Sequence, residues 1–202
     1  MKATNIYVFG LGAIGANIIL NIMRDIPDAL ITGIDYDIVD RKNYEAGTQP
    51  YLKENLGWKK TQAMRIISFK TVGRQIDILD KKLEHEEDAV LMIENGKQSD
   101  DVLLIDAFDN FASRNVVSNL KYPSVHVGFS PFMTGEVLWN EGYTKLLPYK
   151  GDLAEVDICT QHGIRSFIMM FTSMASLVIN EYYYNDKKVN LFIDKFFNMK
   201  VF

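Results

Sequence analysis

A glycine-rich turn near the N-terminus carries the clearest chemical signal in the sequence. Gly10, Gly12 and Gly15 follow a short apolar run and open a stretch of apolar residues at helical spacing, and Asp35 closes the next apolar run. Glycines let a backbone turn approach phosphates closely, and a helix N-terminus offers free N–H groups to an anion. A carboxylate on the next strand can accept hydrogen bonds from ribose hydroxyls. The pattern predicts nucleotide binding without deciding which nucleotide.

Acidic, amide and basic residues follow this turn. Asp37 and Asn43 lie in a polar stretch after the second apolar run, and Lys60 lies at the start of a helical pattern. Asp109 and Arg114 follow DVLLIDAF, the clearest buried-strand pattern of the chain. A lysine ammonium serves as a point charge on phosphates, and an aspartate at the carboxyl end of a parallel strand can hold Mg²⁺ where ligands dock.

The elements that must position these residues alternate between strands and helices. Apolar and β-branched runs predict strands, and apolar residues at helical spacing predict helices. The strands are predicted at 5–9, 29–34, 75–79, 101–108, 124–128 and 135–139, with one more in 189–202, and the helices at 14–22, 59–72, 88–93, 110–120 and 165–184. Because βαβ units are right-handed and parallel, this order predicts an α/β, Rossmann-like fold. Its mainly parallel sheet is flanked by helices, with antiparallel strands toward the C-terminal end.

Composition excludes several classes of protein. The 202 residues are 48% apolar and 24% charged, which is typical of a globular domain rather than a disordered or fibrous chain. A formal net charge of −4 provides no basic surface for nucleic acid. A single cysteine cannot form an internal disulfide, which favours a cytoplasmic protein. We expect one nucleotide-binding domain over 1–202, with a core at 5–140, a crossover loop at 141–163, and a C-terminal helix and tail at 164–202.

Two uncharged runs could be taken for membrane or targeting segments. Residues 3–23 resemble a secretory signal, but glycines and asparagines interrupt them and no small-residue cleavage site follows. Residues 166–180 are shorter than the roughly 20 residues needed to span a bilayer. A buried helix explains the second run better, and no membrane association is predicted.

Taken together, the motifs resemble those of the ThiF/MoeB adenylyltransferases, the superfamily that includes the ubiquitin-activating enzymes. That family shows a glycine fingerprint, D-x-D-x-V followed by an asparagine, G-x-x-K, and D-N-x-x-x-R after a central strand. All four occur here in that order, and the resemblance covers roughly residues 5–184. It implies Mg²⁺- and ATP-dependent adenylation of a carboxylate. The implied substrate is the C-terminal glycine of a small ubiquitin-like or sulfur-carrier protein.

The resemblance also implies a role for each site residue. Asp35 would bind the ribose, Lys60 the phosphates, and Asp109 the metal–phosphate end of the nucleotide. The other implied nucleotide-binding residues are Gly10, Gly12, Gly15, Asp37 and Asn43. Each catalytic candidate has a structural alternative, because Lys60 could be a surface lysine and Asp109 could cap a helix beginning at Asn110. Physical reasoning alone does not separate Asp109 from Asp106.

Cys159 resembles the cysteine that some family members use to accept the activated acyl group as a thioester or persulfide. It precedes a predicted helix start, and His162 and Arg165 lie near it in sequence. A helix N-terminus and nearby cations lower a thiol pKa and increase the thiolate fraction. The alternative is an ordinary small residue in a loop.

The match departs from the family where phosphate-binding arginines are concerned. The family has an arginine and a glutamine directly after its asparagine, whereas residues 43–49 here read NYEAGTQ. Gln49 preserves the glutamine in a shifted register, and Arg41 is a nearby substitute for the arginine. The second family arginine comes from an N-terminal extension, and only residues 1–4 precede the first strand here. The zinc-binding cysteine pairs of many members are also absent, and the three histidines are too far apart in sequence to predict a His-based metal site.

Two other functions remain open. An NAD(P)-dependent oxidoreductase would share the glycine turn and Asp35, but it does not predict Lys60 or Asp109. A non-catalytic subunit of a heterodimeric activating enzyme would receive its arginines from a partner. A homodimer or a stable hetero-partner is expected in addition, because the apolar helix at 165–184 and an aromatic tail exceed what one small sheet can cover. The aromatic residues of the tail are Phe192, Phe196, Phe197 and Phe202.

Overall fold

A computed structural model describes residues 5–93, 102–130, 132–139 and 161–202. Within these ranges the strands are β1 (Asn5–Phe9), β2 (Leu30–Asp35), β3 (Asp77–Asp80), β4 (Val102–Asp106), β5 (Ser124–Phe129), β6 (Gly135–Trp139), β7 (Leu191–Ile193) and β8 (Met199–Val201). The helices are α1 (Ala13–Asp25), α2 (Arg41–Glu45), α3 (Lys60–Val72), α4 (Glu86–Ile93), α5 (Phe111–Asn119) and α6 (Ile164–Asn185), with a 3₁₀ turn at Lys53–Asn55.

All eight strands form one sheet in the order β3-β2-β1-β4-β5-β6-β7-β8. The five strands from β3 to β5 are parallel, and β6, β7 and β8 continue the sheet in antiparallel pairs. The predicted fold class is therefore confirmed. The C-terminal tail differs in detail, because it forms a two-stranded hairpin rather than a single strand. Asp194 closes this hairpin by accepting the N–H groups of Phe196 and Asn198.

Helices cover both faces of the sheet. Alternate residues of β1 point to opposite sides, so that Ile6 and Val8 join one core cluster and Tyr7 and Phe9 join the other. The larger cluster contains apolar residues of α1, α3 and α6, and the smaller one contains apolar residues of α4 and α5. Among the helices of the described ranges, α6 included, none combines the length and apolar character that crossing a bilayer requires.

A glycine explains how α6 reaches the sheet. A Cβ atom at Gly135 would lie 2.5 Å from the ring of Phe171, which is fully buried. The missing side chain therefore lets α6 pack directly on the first residue of β6. This contact fixes the start of β6, where Gly135 pairs with Phe129 at the end of β5.

Candidate nucleotide-binding site

The predicted site residues converge at the carboxyl ends of three neighbouring strands. The glycine turn follows β1, Asp35 ends β2, and Asp109 follows β4, with β1 lying between the other two in the sheet. After β1 the chain continues into α1 on one face, whereas after β4 it continues into α5 on the other. A crevice opens where consecutive connections leave to opposite faces, which is where open α/β sheets bind ligands.

Glycine is present at the three positions of the turn for different physical reasons. Gly10 has a φ of 87°, and a Cβ there would lie 2.9 Å from the carbonyl oxygen of Ala107. A Cβ at Gly15 would lie 1.9 Å from the carbonyl oxygen of Gly10, so α1 can start this close to β1 only with glycine. Both positions serve the packing of the chain itself.

Gly12 is the exception, because a Cβ there would meet no atom within 4 Å. It is the N-cap of α1, it offers no side-chain cap, and the first turn of α1 contains no acidic residue. Open space beside uncapped N–H groups at a helix N-terminus suits an anionic group. The turn therefore fits a phosphate at Gly12.

Asp35 connects the end of β2 to the glycine turn. Its Oδ2 accepts the N–H of Leu11 at 2.7 Å, and its Oδ1 accepts the N–H of Asp37 at 2.8 Å. The residue is buried. Each carboxylate oxygen has a second lone pair, so these bonds leave acceptor capacity for a ribose hydroxyl, and the ribose role stays a prediction.

Lys60 is a buried amine beside two carboxylates. It is 8% exposed, and its Nζ lies 2.8 Å from Asp37 Oδ2 and 4.0 Å from Asp35 Oδ2. Burial acts to lower the pKa of this amine, but nearby carboxylates outweigh burial and raise it. The charge of Asp35 is the largest single cause of the increase, followed by the hydrogen bond and the charge of Asp37 and then by the charge of Asp109. The interpretation of Lys60 as a surface lysine is therefore wrong.

The structure separates Asp109 from Asp106. Asp109 is exposed at the start of the β4–α5 connection, whereas Asp106 is fully buried. The helix cap is Asn110, whose Oδ1 accepts the N–H of Ser113 at 2.9 Å, so the interpretation of Asp109 as a cap is wrong. Asp109 is thus exposed, and its charge acts on Lys60. An exposed carboxylate is compatible with Mg²⁺, which keeps several waters and takes only one or two protein carboxylates beside substrate phosphates, and the metal role of Asp109 stays a prediction.

Arg114 anchors the loop that carries Asp109. Its Nε donates to the carbonyl oxygen of Phe108 at 2.7 Å. Among the described residues, no group of three or more histidine, cysteine or acidic side chains is arranged to bind a metal ion.

Asn43 organises the loop between β2 and α3 from within. Its Oδ1 accepts the N–H of Asp40 at 2.8 Å, and Asp40 Oδ1 accepts the N–H of Asn43 at 3.2 Å. This capping box starts α2 and buries Asn43. Arg41 forms an exposed ion pair with Glu45 on the same helix, at 2.6 Å. The side-chain oxygen of Asn43 therefore supports the loop, and the guanidinium of Arg41 is engaged within α2.

Three side chains that the sequence analysis did not assign to this site attach the loop at 46–51 to its surroundings. Tyr51 Oη donates to the carbonyl oxygen of Leu11 at 2.7 Å, and Asn17 Nδ2 donates to that of Thr48 at 2.8 Å. Arg165, at the start of α6, donates from Nε to the carbonyl oxygen of Gly47 at 3.1 Å. No spacing rule connects these residues, since they are brought together only by tertiary folding.

Cys159 and residues 141–160 of the predicted crossover loop lie outside the described residues. His162 and Arg165, which the sequence places near that thiol, are both exposed. The role of Cys159 as an acyl acceptor stays a prediction.

Comparison with known proteins identifies the fold. No family model and no curated protein matches the chain in sequence. E. coli MccB solved with ATP matches it with a TM-score of 0.72 and 12% identity, over 100% of this chain and 64% of the MccB chain. The microcin C7 biosynthetic enzyme MccB in complex with N-formylated MccA matches with a TM-score of 0.72, 12% identity, and coverage of 98% and 64%. PaaA matches with a TM-score of 0.69, 11% identity, and coverage of 98% and 72%. The chain has the fold of these proteins and spans less than two thirds of MccB.

Proposed function

We propose that this chain binds ATP with Mg²⁺ and adenylates a carboxylate. The observation that carries the proposal is that three features lie together at the carboxyl ends of the parallel strands. These are the open helix start at Gly12, the buried ammonium of Lys60, and the exposed carboxylate of Asp109, whose charge acts on Lys60. A nicotinamide dinucleotide site would need the first feature but neither of the other two.

The chemistry of adenylation follows from this arrangement. A carboxylate oxygen attacks the α-phosphorus, the bond between that phosphorus and the bridging oxygen breaks, and pyrophosphate leaves with the electron pair. The N–H groups of α1 and the ammonium of Lys60 stabilise negative charge on the phosphates. Asp109 would hold Mg²⁺, and the bound ion would supply further positive charge at the phosphates. Holding the two reactants in line accounts for much of the expected rate.

Lys60 can serve the phosphates without leaving its partner. An ammonium has three N–H donors, and the contact with Asp37 at 2.8 Å uses one of them. Asp37 therefore fixes the direction of the Lys60 side chain while the other donors stay available to a ligand.

Arg165 contributes a second cation. Residues 43–49 contain no arginine, but Arg165 lies against the backbone of Gly47. The same loop is bonded to α1 through Asn17 and Thr48. We assign to Arg165 the positive charge that the loop itself lacks.

The carboxylate is the C-terminal glycine of a small ubiquitin-like or sulfur-carrier protein, and Cys159 is the candidate acceptor of the activated acyl group. The motif order supports this substrate class. The structure of MccB in complex with N-formylated MccA supports a peptide as the second molecule that this fold binds.

Substrate-dependent exchange between pyrophosphate and ATP tests the proposal. We expect exchange by the wild type with its cognate carrier and a loss of about a hundredfold in Asp109→Ala, typical of removing one group that stabilises transition-state charge. Lys60→Ala should show a comparable loss. Asp28→Ala and Lys121→Ala, which remove exposed charges elsewhere on the surface, are the matched controls.

Other outcomes would support the other functions. Tight NADH binding without ATP binding would support the oxidoreductase. ATP binding without exchange, with exchange restored by a second chain, would identify a non-catalytic subunit.

A further inference from the structure

A buried chain of charged groups lies beside the candidate site and takes no part in the proposed chemistry. His126 on β5 pairs in register with Asp106 on β4, and its Nδ1 lies 3.0 Å from Asp106 Oδ2. On the other side, His126 Nε2 lies 3.4 Å from Glu136 Oε1 on β6. The side chains of His126 and Asp106 are fully buried, whereas that of Glu136 is 27% exposed. The row of three side chains therefore extends from the interior of the sheet to its surface.

The backbone makes room for this arrangement. A Cβ at Gly128, two residues beyond His126 on the same face of β5, would lie 2.6 Å from His126 Nε2 and 3.5 Å from Glu136 Oε1. Any other residue there would push the imidazole away from the carboxylate. Glycine at this strand position thus has a specific function, which is to let the ring lie between two acids.

The surroundings of the imidazole favour its protonated form. Burial acts to lower the pKa of His126, and the charge of Arg114 on α5 acts in the same direction. The contacts of the ring with Asp106 and Glu136, together with the charge of Asp106, outweigh these two effects, so that the pKa of His126 is raised. Only the protonated ring carries a proton on both nitrogens and so presents an N–H group to the carboxylate on each side. A histidinium buried between two acids is costly to desolvate, and such groups cluster at functional sites.

Asp106 connects this chain to Asp109. Its Oδ1 accepts the N–H of Phe108 at 3.1 Å, and the carbonyl oxygen of Phe108 accepts Nε of Arg114 at 2.7 Å. Phe108 is therefore held at both ends of its backbone, and Asp109 is the next residue. A change at Glu136 or His126 would alter the Asp106 carboxylate. Because that carboxylate accepts the N–H of Phe108, the change would also alter the position of Asp109.

We propose that Asp106, His126 and Glu136 form a positioning network that fixes the backbone of Phe108 and thereby aims the Asp109 carboxylate at the metal–phosphate end of ATP. The metal-related part of this inference rests on the proposed function. The mechanical part, that the network holds Phe108, does not.

Two variants and one control test the network. His126→Gln and Glu136→Gln remove the charges at nearly unchanged volume, and His85→Gln removes an exposed histidine elsewhere. We expect hydrogen exchange at the Phe108 amide to become about tenfold faster in both network variants, as for one weakened charge-assisted hydrogen bond, and to stay unchanged in the control. Affinity for ATP should fall about tenfold with Mg²⁺ present and less than twofold with Mg²⁺ removed by chelator. A purely structural role would lower both affinities equally.

The remaining outcomes are distinguishable. If the wild type does not bind Mg-ATP, the proposed function fails. Hydrogen exchange at the Phe108 amide still tests whether the network holds Phe108. If His126→Gln does not fold, Glu136→Gln and an NMR titration of the wild-type imidazole provide the answer. If the Phe108 amide of folded Glu136→Gln exchanges hydrogen at the wild-type rate, the inference is overturned. A His126 ring that is neutral at pH 6.5 would overturn it as well.

Discussion

Single residues at this site differ in whether the protein or the ligand requires them. Gly15 and Gly10 satisfy the packing of the chain, whereas Gly12 leaves open space. Lys60 is held by Asp37, and Asp106 is held by His126, so that neither is free to act as an ordinary surface charge. Residue type alone does not reveal these differences, because they depend on what surrounds each residue.

A pair of glycine variants separates the two requirements. Gly15→Ala should destabilise the fold by about 3 kcal/mol, because its Cβ would overlap the carbonyl oxygen of Gly10 at 1.9 Å. Gly12→Ala should leave stability nearly unchanged and weaken ATP binding, because its Cβ would fill the space proposed for a phosphate. Urea unfolding and titration calorimetry measure the two effects. Equal losses of stability in both variants would contradict the assignment of Gly12 to the ligand.

The His126–Glu136 pair predicts a pH window of stability. The pKa of His126 is raised above 6.5, so its contribution is full below 6.5 and is lost as pH rises through the raised value. The pKa of Glu136 is lowered below 4.5, so its contribution is full above 4.5 and is lost as pH falls through the lowered value. The destabilisation caused by Glu136→Gln should therefore be greatest between these limits and shrink in alkaline buffer. Urea unfolding at about pH 5.5 and pH 9, chosen on either side of the ordinary histidine pKa, is the measurement; a pH-independent difference would count against the charged pair.

At the scale of elements, the loop between β2 and α3 is held from three directions. Its own capping box starts α2, α1 bonds to it through Asn17, and α6 bonds to it through Arg165. The start of α6 thus lies beside the first turns of α1. Because the loop between β2 and α3 bonds to both helices, Arg165 on α6 can lie close to a ligand that binds at the start of α1.

Arg165→Ala tests this connection. We expect ATP affinity to fall about tenfold, as for the loss of one charge-assisted contact, with little change in unfolding temperature because the side chain is exposed. Arg24→Ala, an exposed arginine in the last turn of α1, should bind ATP like the wild type. Calorimetric titration of both variants provides the comparison. Unchanged affinity in Arg165→Ala would remove Arg165 from the site.

At the scale of the whole molecule, one group of exposed apolar side chains lies on the hairpin formed by β7 and β8. Among the strands of the described ranges, β8 lies at the edge of the sheet and its three residues are exposed, and Phe196, Phe197 and Phe202 are exposed around the same hairpin. Unpaired edge strands and contiguous apolar patches are features of association surfaces. The dimer stays a prediction, and this hairpin is the surface through which we expect it to form.

Light scattering tests the dimer. We expect twice the chain mass of 23.1 kDa at micromolar concentration, and a monomer when Phe196 and Phe197 are both replaced by serine. Leu91→Ser, which changes an exposed apolar residue on α4, should remain dimeric. A monomeric wild type would contradict self-association through this hairpin.

Local sequence was sufficient for the glycine turn, the alternation of strands and helices, and the order of Asp35, Lys60 and Asp109. Each depends on neighbours close along the chain, where periodicity and turn chemistry act directly. The element ends moved by a few residues, as at Asn110, where the choice between two adjacent capping residues is decided by side-chain geometry.

The partners of these residues were decided by tertiary structure alone. His126 contacts Asp106 through one ring nitrogen and Glu136 through the other, and Gly47 contacts Arg165, because the sheet order and the helix packing bring distant segments together. The burial of Lys60, and with it the direction of its pKa shift, depends on those same distant contacts. Charge and type are properties of a residue, but desolvation and pairing are properties of its surroundings, and only the folded chain defines those.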